Sequence, residues 1–190
     1  TVVCAGGGVG ATVAVNKIKN DVEAYTGQNT KISSKDVTLN AQSNNNLGNA
    51  ESGGSLLAVA GAGGLYAGVA GTVMYNGVED IVNAYVGKTN TIKLADNGKL
   101  DVKATDITKI YDGTGAVAGG AGGVGASVDY NTIKNTVVAY IKSDSTVTGS
   151  ANVSVIADSQ ETVDNDAYVV GFGAGAVSGA VLYLTLGKNV

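Results

Sequence analysis

The chain has 190 residues, 29 of them Gly, with no Pro, His or Trp and a single Phe, Met and Cys. Its net charge is −4 and all 12 basic residues are Lys, scattered rather than clustered, which argues against nucleic acid as a partner. The lack of His removes the commonest general base and metal ligand, and 44% hydrophobic residues argue against disorder for want of a core.

In chain order, a Gly/Ala tract at 5–11 leads into a strand-like run from Val13 through Asn16 and Ile18 to Val22, Ala24 and Tyr25. A second strand-like segment, 37–41, follows. The same succession returns as tract 61–71, run 73–85 and segment 100–104, and again as 119–126, 128–140 and 153–157. A fourth tract, 171–180, and the start of a fourth run at Val181 close the sequence. The anchor Asn recurs at 16, 76 and 131 and the Ala-Tyr pair at 24–25, 84–85 and 139–140, giving spacings of 60 and 55 residues. The chain therefore reads as one continuous array, with approximate repeats 1–53, 54–115, 116–170 and a truncated 171–190.

Periodicity inside the repeat is two. Val124, Ala126, Val128 and Tyr130 share one parity, and Gly125, Ser127 and Asp129 the other. After the anchor, Val22 and Ala24 alternate with Asp21, Glu23 and Tyr25. Three segments carry turn chemistry and are expected as connections: 43–46, 96–98 and 112–115. The expected fold is all-β, a repetitive β-solenoid (β-helix), Gly/Ala-rich and flattened. Stacking places Val13, Val73, Val128 and Val181 in one internal column and Ile18, Val78, Ile133 and Leu186 in another. Asn16, Asn76 and Asn131 suit a buried or turn-lining amide ladder. Tyr25, Tyr85 and Tyr140 fall on the opposite parity and form an outward stripe, read either as a contact surface for proteins or sugar faces or, in preference, as a structural ladder with ring stacking between turns. Each repeat makes either about three turns of ~20 residues or one wide turn rising ~4.8 Å per layer. The Gly/Ala tracts favour the wide turn.

The unit of Gly-rich strand, Val-x-x-Asn-x-Ile, Val-x-Ala-Tyr, turn and Val-x-Val-x-Ala resembles the repeats of very large bacterial filamentous adhesins, of the fusobacterial leukotoxin-like and filamentous-haemagglutinin-like secreted kinds. The likeness extends over essentially the whole chain. It implies a secreted, β-helical surface filament exported by an outer-membrane partner, and it carries no catalytic residues to transfer. The secretion domain expected near the start of such proteins is not visible in the sequence.

The remaining motifs have plain structural readings. Residues 120–125 match GxGxxG, but Ala126 to Tyr130 alternate as a strand where a dinucleotide site needs a helix, so close sheet packing is expected. Asp164-Asn165-Asp166 and Asp96-Asn97-Gly98 offer oxygen ligands without a complete calcium loop and read as solvated turns. Glu79 with Asp80, and Glu161 with Asp164, are paired carboxylates of the kind glycosidic chemistry uses, but read as surface positions. Asn152-Val153-Ser154 fits a glycosylation acceptor inside a strand, and Cys4 alone makes neither disulfide framework nor zinc site and reads as a small buried thiol. No catalytic, cofactor-binding or metal residue is assigned, and no cofactor.

The expected role is structural: a segment of an extracellular bacterial fibre or filamentous surface adhesin, without catalysis. The alternative is an adhesive module that binds host protein or glycan. Expected partners are further copies end to end, or continuation of the same array, with a host surface protein or glycan as the other candidate. Nucleic acid and a membrane span are not expected, because the most apolar stretch, 168–186, is interrupted by Gly and ends in a strand-like run. An outer-membrane barrel shares the period of two but needs aromatic girdles. The opening Thr1-Val2-Val3, without Met or signal peptide, reads as an excised segment of a larger extracellular or cell-surface protein.

Overall fold

A computed structural model describes residues 2–48, 56–149 and 151–190, with the side chains of residues 2–4 and 151 outside the description. The expectation for the Cys4 thiol therefore lies outside the described residues. Among the described residues every regular element is a strand: β1 Val2–Cys4, β2 Gly7–Tyr25, β3 Lys31–Leu47, β4 Leu56–Gly64, β5 Ala67–Val86, β6 Thr91–Gly119, β7 Gly122–Ile141, β8 Thr146–Thr148, β9 Ala151–Phe172 and β10 Val177–Asn189. The absence of Pro and the abundance of β-branched residues permit such long unbroken ladders.

All strand pairs are parallel, and they form two sheets. The first has the order β10-β7-β5-β2; the second is built around β6, with β3 and β4 along one edge and β8 and β9 along the other. The chain passes from one sheet to the other and back, so each passage adds a strand to both. Copies pair residue for residue: Val13 with Val73, Val73 with Val128, and Val128 with Val181. Direct stacking of whole repeats is thus the observed register, and a three-turn repeat is not. The unequal spacings arise in the second sheet. Between the pairs Leu47–Ile110 and Leu56–Asp112 the first copy inserts residues 48–55 where the second has Tyr111 alone, and the second copy bulges at 95–98.

Each long strand of the first sheet keeps a single phase, and this corrects one expected column. Ile18, Val22 and Ala24 face the second sheet, and with no bulge in β2 the same parity carries Gly8, Gly10, Thr12 and Ala14 inward. Val9, Val13 and Val15 must then face out. Val13, Val73, Val128 and Val181 do form a column, but on the outer face, with 71%, 45%, 37% and 58% of their surface exposed. The second column faces inward as expected: Val78 and Ile133 are buried, while Leu186 keeps the register but is exposed in the outermost strand.

The interior tapers. At one end Val82, Val86, Ile92, Leu94, Leu100 and Val102 pack as a conventional apolar core. At the other the filling is Ala60, Ala62, Ala70, Ala116 and Ala118. There the sheets come so close that a Cβ on Gly10 or Gly68 would collide with the carbonyls of Gly61 or Gly119. A third cluster, Leu47, Val78, Ile110 and Ile133, lies in the middle.

All three expected connections lie within strands. Residues 43–46 lie in β3 and 112–115 in β6, because their Ser, Asn, Asp and Thr side chains on the inward parity are buried between the sheets. Residues 96–98 also lie within β6 rather than in a connection, as part of its bulge, with Asn97 at φ 59°. The connections at the wide end are 26–30, 87–90 and 142–145. Asn29, Thr89 and Asp144 occupy equivalent left-handed positions there, at φ 55°, 60° and 61°. Asn90 ties two layers of this turn together, donating to Thr26 Oγ1 at 2.6 Å and accepting from the Thr30 amide at 2.7 Å.

Candidate functional site

The most distinctive chemistry lies between the sheets, where β5, β6 and β7 bury a line of amides and carboxyls. The anchor asparagines form the expected ladder: Asn16 Nδ2 donates to Asn76 Oδ1 at 2.8 Å, and Asn76 Nδ2 donates to Asn131 Oδ1 at 3.0 Å. Asn76 and Asn131 are fully buried. The stack works because equivalent residues are in register across the layers, so Asn76 meets its own kind on both sides, while Asn131 has Leu184 beyond it in β10.

Beside this ladder stand two pairs of buried carboxyls, Asp80 with Asp106 and Asp112 with Asp129. Asp80 Oδ2 accepts from Ser43 Oγ at 2.6 Å and from Asn45 Nδ2. Asp106 Oδ2 accepts from Thr108 Oγ1 at 3.2 Å and from Asn135 Nδ2. Asp112 Oδ2 accepts from Asn76 Nδ2, and Asp129 Oδ1 from Asn131 Nδ2 at 3.2 Å. The other oxygen of each carboxyl is buried without a donor. A proton held between the two members of each pair satisfies both orphans at once. Burial, reinforced by the neighbouring Asp80, raises Asp106 to about 7; burial and the charge of Asp112 raise Asp129 to about 7. Asp112 is also raised, by burial, against the opposing pull of the Asn131 and Asn76 amides. Asp106 and Asp129 therefore hold their protons through mildly acidic solution and lose them only as the pH passes through about 7.

Glu79, Asp80, Glu161 and Asp164 were expected at the surface, and the structure overturns that for Asp80. Glu79, its neighbour on the other parity, does face solvent and bonds Lys19 Nζ at 2.8 Å. Glu161, in β9, is half-buried and raised by burial, while Asp164 is exposed on the opposite parity, so the two do not converge. Asp164-Asn165-Asp166 is strand rather than turn, and alternation sends Asn165 to the other face from its neighbours. Among the described residues no three acidic or thiol groups gather as a metal site, and no helix is long and apolar enough to cross a membrane. Residues 120–125 form a turn and the start of β7. A Cβ on Gly123 would collide with the carbonyls of Phe172 and Ala118, which is close sheet packing. Asn152-Val153-Ser154 lies inside β9.

On the outer face Tyr25, Tyr85 and Tyr140 stack as a ladder, with centroids 5.2 and 5.1 Å apart. Lys142 Nζ lies 4.1 Å over the Tyr85 ring. A second ladder, Tyr75–Tyr130–Tyr183 at 5.4 and 4.7 Å, runs parallel to it. Ring faces are spent on one another, so both ladders join layers and offer mainly edges and hydroxyls to solvent. The outer face of the second sheet carries an open depression of about 550 Å³ whose lining includes Asn40, Asp101, Lys103, Thr105, Ile156 and Asp158.

The buried pairs escaped the sequence reading. The available signal was Asp80 standing, at the repeat spacing, where Asn20 and Asn135 stand, an acid in a column of amides. No family model matches this chain, and neither a curated protein nor a solved structure resembles it detectably.

Proposed function

We propose that this chain is a β-solenoid segment of an extracellular bacterial fibre or filamentous surface adhesin, whose task is length, stiffness and display. The observation that carries the reading is the residue-for-residue pairing of successive copies at offsets of 60 and 55. Stacking of this kind repeats without a built-in limit, because each copy offers the next the same hydrogen-bonding edge. Asn and Tyr ladders then penalise slippage, since a one-residue shift would separate every amide and ring pair. In the fibre, further layers pair along the outer strands β2 and β10 of the first sheet, supplied by another copy or by more of the same array.

Negative-stain electron microscopy and fibre diffraction of the purified chain test this. Long, thin, unbranched fibres with a ~4.7–4.8 Å axial repeat are expected. Discrete compact particles at all concentrations would sink the fibre reading for this chain on its own. An adhesive module for host protein or glycan is the second reading, favoured by the polar depression around Lys103 and Asp158. Binding on a glycan array that survives Lys103→Ala and Asp158→Ala would count against that location.

A further inference from the structure

The outer face of the first sheet, at the end where the interior is filled by Ala, is built the wrong way round for an isolated molecule: small residues inside and valines outside. Four adjacent outward columns, headed by Gly7, Val9, Ala11 and Val13, contain only Gly, Ala and Val through every layer. The first charged positions beyond them are Lys17 and, one column on, Lys19, Glu79 and Lys134. A flat, charge-free patch of this kind marks a contact surface.

Its relief is self-complementary. Along the strand the columns read small, Val, small, Val. A two-fold axis parallel to the stacking direction reverses that order to Val, small, Val, small. Laid face to face about an axis between the second and third columns, each Val column of one copy seats on a small-residue column of the other. Val69 meets Gly71 of the second copy, and Val73 meets its Ala67. The layers stay in step, because the axis maps each layer onto its counterpart. We propose that this face is a lateral docking surface for a second copy of the same chain, forming a closed, two-fold pair that interdigitates like a dry zipper.

The size of the patch sets the strength expected. One outward position covers about 6.6 by 4.8 Å, so four columns over four layers present roughly 500 Å² per copy. The pair then buries roughly 1,000 Å², at the lower limit for a specific interface, so a single chain dimerises reversibly. Each added layer enlarges the surface in proportion, so long arrays adhere side by side far more firmly than short ones. This contact is lateral and independent of end-to-end growth, which uses the strand edges instead.

Analytical ultracentrifugation of the chain across a concentration series tests the proposal, with Gly71→Ile as the decisive variant. A Cβ at Gly71 meets nothing within 4 Å in its own molecule, so the isolated fold tolerates the larger side chain. The isoleucine fills the groove that Val69 of the second copy must enter. The wild type is expected to show a monomer–dimer equilibrium, and Gly71→Ile to weaken it by about tenfold or more with an unchanged thermal midpoint at low concentration. Val73→Lys, on the same outer face, should weaken it similarly and guards against misreading a folding defect. A wild type that stays monomeric overturns the proposal, as does a dimer that persists in both variants. Flotation of the wild type with phosphatidylcholine vesicles, lost in Val73→Lys, would also overturn it by making the partner a lipid surface.

Discussion

Raising the pH from 5 to 8 should destabilise this protein, the reverse of ordinary acid denaturation. The chain has no His, so across most of this window the carboxyls that burial has pushed upward are the main groups that titrate. Asp106 and Asp129 each move from 3.8 to about 7 in the folded state. A folded carboxyl with a raised value holds more protons than the unfolded chain between those limits. Its stabilising contribution is complete below the unfolded value and is lost as pH climbs through about 7. Between pH 5 and 8 the loss is roughly 2–3 kcal/mol per pair and about 5 kcal/mol for both, a large share of a typical domain's stability. Asp106→Asn tests the assignment. The amide oxygen still accepts from Thr108 and Asn135, and its NH2 replaces the shared proton toward Asp80. Guanidinium unfolding followed at several pH values should show the wild-type midpoint falling from pH 5 to 8, and Asp106→Asn losing about half of that slope. Adding Asp129→Asn should flatten the rest. A wild-type midpoint that is flat or rises over this window would refute the shared-proton account.

The remaining predictions concern the ladders and the narrow end. Asn76→Ala removes the central rung and leaves Asn131 and Asp112 short of partners, so it should cost about 2–4 kcal/mol in denaturant unfolding; Asn16→Ala, at the end of the ladder, should cost less than half as much. Gly68→Ala should destabilise by about 1–3 kcal/mol, because its Cβ meets the Gly119 backbone, whereas Gly71→Ala should be neutral or gain up to about 1 kcal/mol; thermal midpoints of the two compare them directly. Tyr85→Leu breaks two stacked contacts and should cost about 1–3 kcal/mol, and Tyr25→Leu, which breaks one, about half; a double-mutant cycle with Tyr140 isolates the stacking.

The sequence by itself determined the repeat, the period of two and the identity of the columns. Asn16, Asn76 and Asn131, and Tyr25, Tyr85 and Tyr140, are neighbours in space because equal spacing in the chain becomes direct pairing when copies stack. Which parity faces inward was decided only by the tertiary structure. Locally, Val13 and Val15 look like core and Gly10 and Thr12 like surface. A strand without a bulge has one phase, and the larger inward group at Ile18, Val22 and Ala24 imposes it on the whole of β2. Turn chemistry misled for a related reason. Runs of Asn, Asp and Ser favour turns when solvated, yet at 43–46 and 112–115 they lie in strands whose inward-facing Ser43, Asn45 and Asp112 find polar partners between the two sheets. The carboxyl pairs were hidden because Asp80 and Asp106, and Asp112 and Asp129, sit on strands of opposite sheets. Their separations in the chain match no repeat spacing. Contacts along the stack follow the period of the sequence, whereas contacts across it depend on where each strand turns, and that only the folded chain fixes.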